Sequence, residues 1–135
     1  MKLTNDERES IITLRIQKAI DTLKEAEGIA SLHYWNAVAN RLYYACYYIT
    51  SALLIKFGFS ARKHSGIIHL LGLHFVTKGI VKKESGQFYS KLFDLRQTGD
   101  YDDLYNLNEE DVKPLIEEAK LYMAEIQSII SECKI

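Results

Sequence analysis

Four histidines, His33, His64, His69 and His74, are the side chains of this sequence whose type best suits a metal or a proton transfer. An imidazole titrates near neutral pH and ligates metals readily. The spacing argues against a metal set. His64, His69 and His74 lie five apart, which on a helix turns each away from the next, whereas a ligand pair needs three or four. His33 has no cysteine or carboxylate around it in a recognisable motif. Asp100, Asp102 and Asp103 offer oxygen ligands to a hard divalent ion, but the calcium-loop pattern is absent, and a solvated acidic turn is the commoner outcome. Neither a metal nor a cofactor is expected. A Walker loop, a nucleophile elbow and a glycine-rich dinucleotide fingerprint are all missing, which argues against ordinary small-molecule enzymology. Cys46 and Cys133 have no metal or redox spacing and read as reduced thiols.

A second group with chemical potential is the run of tyrosines from Tyr43 to Tyr48. On a helix Asn36, Asn40, Tyr43 and Tyr47 fall on one side, and Arg41, Tyr44, Tyr48 and Ser51 on another. Phenol rings beside an arginine can stack on single-stranded RNA bases. Such tyrosines are more often half-buried packing residues with a hydrogen-bonded tip, and packing is the expectation for most of them.

The elements that must position these residues read as helices throughout. Thr4 and Glu7 have the form of a capping box, and Ile12, Ile16, Ala19, Leu23 and Ala26 follow at alternating spacings of four and three, up to a stop at Gly28. A second helix spans about His33 to Phe57 with Trp35, Val38, Leu42, Ala45, Ile49 and Ala52 as its stripe. It also carries Tyr43, Tyr44, Tyr47, Tyr48, Leu53 and Leu54 off that stripe. A helix apolar nearly all round is covered on more than one side, so this one is central, with room for a partner chain on one face. Gly58 closes it. A third helix carries Ile67, Ile68, Leu71 and Phe75 and ends at Gly79. A fourth, from about Glu84 to Thr98, presents Phe88, Leu92 and Leu95, with Gly99 as its breaker and the acidic turn Asp100-Tyr101-Asp102-Asp103 beyond. The last begins between Asn108 and Asp111, with Pro114 favouring the later start, and continues through Leu115, Ala119, Tyr122, Ile126 and Ile129. The expected architecture is all-α, an up-and-down bundle of four to five helices forming one domain over residues 1–135.

Composition agrees. With 135 residues there is material for one core. Lys and Arg number 17 against 18 Asp and Glu, so no global basic field exists and any RNA contact must be local. The N-terminus lacks the apolar stretch of a signal peptide. The longest greasy run, Leu42 to Ile55, is interrupted by Thr50 and Ser51 and falls short of the roughly 20 residues that cross a bilayer. A cytoplasmic protein without membrane segments is expected.

Four segments, taken together, carry a resemblance: Asn40-Arg41-Leu42-Tyr43-Tyr44-Ala45-Cys46-Tyr47-Tyr48, Lys63-His64-Ser65-Gly66, Leu73-His74-Phe75-Val76, and Leu95-Arg96 followed by Asp100-Tyr101-Asp102. Their order and spacing, over roughly Ile12 to Ile130, resembles an uncharacterised bacterial and archaeal branch of the HEPN family. That resemblance implies a helical bundle that dimerises. It implies either a metal-independent ribonuclease or a toxin-like, RNA-associated module acting with a nucleotidyltransferase antitoxin. It also assigns roles. The family's motif is an arginine followed after four to six residues by a histidine, the arginine holding the scissile phosphate and the histidine moving a proton. Arg96 matches the arginine. Tyr101, or Asp100 with a shift of one, stands where the histidine would fall, and no histidine follows Arg96 anywhere. A tyrosine titrates near 10 and is a poor base at neutral pH. Arg62 and His69 have the spacing by coincidence. His64 reads either as a cap of the third helix or as a catalytic imidazole.

The resemblance thus marks Arg96, Asp100, Tyr101 and His64 as candidate catalytic residues, and the rings beside an arginine on the second helix make Arg41, Tyr44 and Tyr47 candidate nucleotide or RNA contacts. A non-catalytic nucleotide-binding domain is the alternative. Tyr101, an accessible hydroxyl in an acidic turn beside an arginine, is also a candidate for modification by a partner transferase.

Overall fold

The computed structural model describes residues 3–101 and 106–132. The described residues form five α-helices: α1 (Asn5–Ala30), α2 (Trp35–Lys56), α3 (His64–Leu71), α4 (Lys83–Tyr101) and α5 (Glu109–Glu132). A π-helical turn, Gly72–Val76, prolongs α3. They form an up-and-down bundle, with no strand among the described residues.

The capping box at the start of α1 is present. Glu7 N–H donates to the Thr4 hydroxyl at 3.1 Å and Thr4 N–H to the Glu7 carboxylate at 2.8 Å. These bonds hold the Glu7 carboxyl below the usual carboxylate range. Gly28 does not stop the helix. It continues to Ala30, where the Ser31 hydroxyl donates to the Gly28 carbonyl, and His33 takes the left-handed conformation (φ 63°) that a glycine more often fills.

α2 is the central helix, packed against α1, α3, α4 and α5. Its whole expected stripe is buried, and so are the off-stripe Tyr43, Leu53 and Leu54. Leu42, Ile49, Leu53 and Leu54 are almost wholly removed from water, each contributing about 1.5–3 kcal/mol to the fold. Gly58, at φ 86°, closes the helix through Phe59 N–H to the Leu54 carbonyl at 2.8 Å. Cys46 is buried and free, and burial pushes its thiol pKa up.

Two boundaries correct the sequence reading and bear on the site. α4 continues through Gly99 to Tyr101, so Asp100 and Tyr101 belong to a last helical turn; Asp102 and Asp103 lie outside the described residues, as does Cys133. A glycine inside a helix costs only about 1 kcal/mol. Here its bare Cα admits a close neighbour, since a Cβ on Gly99 would lie 3.0 Å from Leu107 and 3.5 Å from Asn36. α5 starts at Glu109, at the early side of the expected window, with Pro114 inside the helix. Reciprocal bonds between Asn108 and Asp111, at 3.0 and 3.1 Å, secure that start. No helix among the described residues is long and apolar enough to cross a membrane.

Candidate functional site

Arg96 is the one buried charged side chain among the described residues, 7% exposed on the inner side of α4. Its guanidinium sits among four rings, 5.0 Å from the centroid of Tyr43, 5.7 Å from Tyr44 and Phe93, and 5.8 Å from Tyr101. One turn on, a carboxylate oxygen of Asp100 lies 3.6 Å from an Arg96 nitrogen. The same oxygen accepts from the Asn40 amide at 2.9 Å, which ties α4 to α2. The Nε of Arg96 is buried and hydrogen-bonded to no described residue. A guanidinium with one donor unmet by the described residues, in an aromatic surround, has capacity for a further acceptor.

His64 comes to this place from a different element. It is the first residue of α3, and its Nδ1 lies 2.7 Å from the Tyr43 hydroxyl. The imidazole stacks on Tyr47 at 4.5 Å with a 22° interplanar angle, and meets Tyr44 edge-on at 5.6 Å. Burial first, and the positive charge of Arg96 second, hold its pKa below the ordinary 6.5. Burial also pushes the Tyr43 hydroxyl pKa up, so the phenol keeps its proton. If His64 Nδ1–H donates to Tyr43, the Nε2 lone pair is free and the ring is a base. If Tyr43 donates instead, Nε2 carries the hydrogen and the ring is a donor.

Tyr43 therefore joins the two halves, with Arg96 over its face and His64 at its hydroxyl. It is held from below by a column of rings. Tyr89 stacks on it at 5.8 Å and 6°, and Tyr122 stacks on Tyr89 at 5.8 Å and 15°. The Tyr122 hydroxyl and the Thr50 hydroxyl are 2.6 Å apart. A floor built from two buried rings, Tyr89 on α4 and Tyr122 on α5, leaves Tyr43 little freedom.

Of the residues marked in the sequence, Arg96, Asp100, Tyr101, His64, Tyr44 and Tyr47 come together around Tyr43. Tyr101 is 73% exposed. Arg41 borders the group. Its guanidinium lies over Tyr44 at 5.3 Å, donates to Asn40 Oδ1 at 3.0 and 2.7 Å, and lies 3.6 Å from Glu25. His33, His69 and His74 lie outside it, His33 edge-on to Trp35 and His74 stacked on Phe59 at 4.2 Å. Among the described residues no three His, Cys, Asp or Glu side chains approach as a metal site requires. Asn40, as partner of Asp100, and Phe93 went unmarked in the sequence, and Tyr43 was noted there in the tyrosine run of the second helix, with packing as the expectation for most of that run. Helical periodicity had set Asn40 and Tyr43 on one side of α2, which was the available signal. A separate surface groove, lined by Phe88, Leu121, Tyr122 and Glu125, lies between the start of α4 and α5.

The family model described as HEPN domain matches residues 12–129. A UPF0332 protein of Thermotoga maritima is 37% identical over 129 residues, covering 96% of this chain and 98% of that one. A protein of Methanocaldococcus jannaschii named "putative toxin" is 30% identical, covering 96% of each chain. The crystal structure of TT1696 from Thermus thermophilus superposes with a TM-score of 0.68 at 18% identity, over 90% of this chain and 96% of that one, a likeness of fold.

Proposed function

This chain belongs to the HEPN domain family, and from that premise we propose that it is a toxin-like module that cleaves RNA without a metal, at the centre formed by Arg96 and His64. One observation carries the reading. The buried arginine, its Nε unmet by any described residue, and the histidine with a lowered pKa converge on one tyrosine, the guanidinium over its ring and the imidazole at its hydroxyl, although they come from α4 and α3. The imidazole thereby replaces in space the histidine that does not follow Arg96 in sequence.

The chemistry needs two functions, and the cluster offers both. Arg96 displaces its contact to Asp100 and binds the non-bridging oxygens of the scissile phosphate, stabilising charge as it develops. His64, neutral at pH 7, takes the proton of the adjacent ribose 2′-hydroxyl through Nε2. The 2′-oxygen attacks phosphorus, the bond to the 5′-oxygen breaks, and that oxygen takes a proton from water. A 2′,3′-cyclic phosphate and a 5′-hydroxyl end result. Asn40 and Asp100 keep the guanidinium aligned while the site is empty. The name of the Methanocaldococcus jannaschii relative supports the toxin half of the reading, and a nucleotidyltransferase antitoxin and a homodimer are part of the same proposal by family resemblance.

Incubation of purified protein with RNA in the presence of a chelator tests it. Cleavage with cyclic-phosphate ends is expected, reduced at least a hundredfold in both Arg96→Ala and His64→Ala, in line with the roughly 10²–10⁴-fold of a general base. Undiminished cleavage in His64→Ala would remove the imidazole from the mechanism, and undiminished cleavage in Arg96→Ala would remove the site.

A further inference from the structure

Tyr48 lies one helical turn beyond Tyr44 on the half-exposed side of α2, the two ring centroids 6.1 Å apart and tilted by 38°. The chemistry at Arg96 and His64 makes no use of it. Two cations from α1 nevertheless stand over its ring, Arg15 at 6.0 Å and Lys18 at 5.1 Å from the centroid. Neither Arg15 nor Lys18 forms an ion pair with a described residue, in contrast to Lys56, which is bound to Glu9, and Lys120, bound to Glu27. The next ring, Tyr44, has Arg41 at 5.3 Å and Arg96 at 5.7 Å. Four cations thus adjoin two phenols where α2 meets α1 and α4. Arg41 and Arg96 are paired, with Glu25 and Asp100, which leaves Arg15 and Lys18 unpaired among the described residues on the α1–α2 seam, in a chain whose net charge is −1. Two unpaired cations side by side on a balanced surface favour a polyanion there.

We infer that this seam is a track for single-stranded RNA, on which Tyr44 and Tyr48 each stack one base while Arg15 and Lys18 each hold a phosphate, and which delivers the strand to Arg96. The inference deepens the ribonuclease reading and rests on it for what happens at the end of the track. Stacking on a side-chain ring selects the single strand. The bases of a duplex stack on one another and offer no free face, whereas unpaired bases can splay out onto an aromatic ring. Little sequence preference follows, because every base has a π face to offer.

Fluorescence anisotropy on the full chain, with a labelled 2′-O-methyl oligouridine of about eight nucleotides that cannot be cleaved, reads the track alone. Tyr48→Leu is expected to weaken binding by roughly 5- to 100-fold. Lys18→Gln is expected to lower the slope of log affinity against log salt by about 0.7. A duplex of the same length should bind at least tenfold more weakly. Lys18 is exposed, so its variant remains informative should Tyr48→Leu fold poorly. Unchanged affinity in both variants, or equal affinity for the duplex, would overturn the track. So would a Tyr48→Leu variant that loses only self-association in sedimentation while RNA binding persists. The ribonuclease reading is judged separately. Its failure appears as intact cleavage in Arg96→Ala, whereas failure of the track appears as parent-like anisotropy in the α1 and α2 variants.

Discussion

Replacing Arg96 by methionine should separate what this residue does for the fold from what it does for chemistry. The guanidinium is 7% exposed, and its Nε is buried without a partner among the described residues. An unmet buried donor costs about 1–3 kcal/mol. Its contact to Asp100, at 3.6 Å, is longer than the about 2.7–2.9 Å of a charge-assisted hydrogen bond, and with a partly solvated carboxylate it stabilises by about 0–1 kcal/mol. The ring contacts, the nearest at 5.0 Å, add about 2 kcal/mol in a desolvated setting. At the middle of these ranges the contributions cancel to within about 1 kcal/mol. Methionine retains an unbranched stem among the same rings, and its sulfur adds about 0.3–1.5 kcal/mol of contact. Asp100 keeps its Asn40 donor at 2.9 Å. Arg96→Met is therefore expected to unfold within about 4 °C of the parent while losing at least a hundredfold in RNA cleavage. Arg96→Lys should also fold and still cleave poorly, because an ammonium lacks the planar fork. Thermal unfolding by circular dichroism, with a metal-free cleavage assay on the same preparations, makes the comparison. A loss above about 3 kcal/mol, the usual cost of breaking a buried ion pair, would refute the reasoning by making the guanidinium an anchor of the fold.

Gly66 carries a different expectation, because a Cβ there would meet the Ala61 Cβ at 2.9 Å. Neither methyl can rotate away, so Gly66→Ala must shift the start of α3 at a cost of about 1–3 kcal/mol. His64 moves with it, and cleavage should fall at least tenfold; parent-like stability and rate would show that the close approach is unnecessary. The pH response follows from the lowered pKa of His64. A base must be neutral, so cleavage should be level around pH 7 and decline as the pH falls through a value below 6.5. The unfolded chain binds more protons between that value and 6.5, so the stability linked to His64 is complete above the unfolded pKa and is lost as the pH falls toward the folded one. His64→Gln should remove that share of the acid sensitivity. An NMR titration of the imidazole with a midpoint at or above 6.5 would contradict both expectations.

The bundle was legible in the sequence because helical burial is periodic. Every residue of the α2 stripe, from Trp35 to Ala52, is buried as its spacing required. Glycine was the less dependable sign. Gly28 and Gly99 both lie inside helices, since about 1 kcal/mol of propensity yields to packing, and the left-handed residue after α1 is His33. The sequence named most of the residues that gather around Tyr43, and none of the contacts between them. Periodicity assigns a residue to a face of its own helix and says nothing of which foreign residue meets that face. Tyr43 was grouped with packing residues, and packing it does, being wholly buried; yet its hydroxyl reaches His64 and its ring carries Arg96. A motif read along one helix demands a base within a turn or two of the arginine. In a bundle, the first residue of a neighbouring helix meets that demand equally well, provided that something rigid fixes the separation. Tyr43, clamped between Tyr89 below and the His64 hydrogen bond at its tip, is such a spacer. The missing histidine after Arg96 therefore argues against a linear motif, and leaves the chemistry of the assembled centre to be decided by His64.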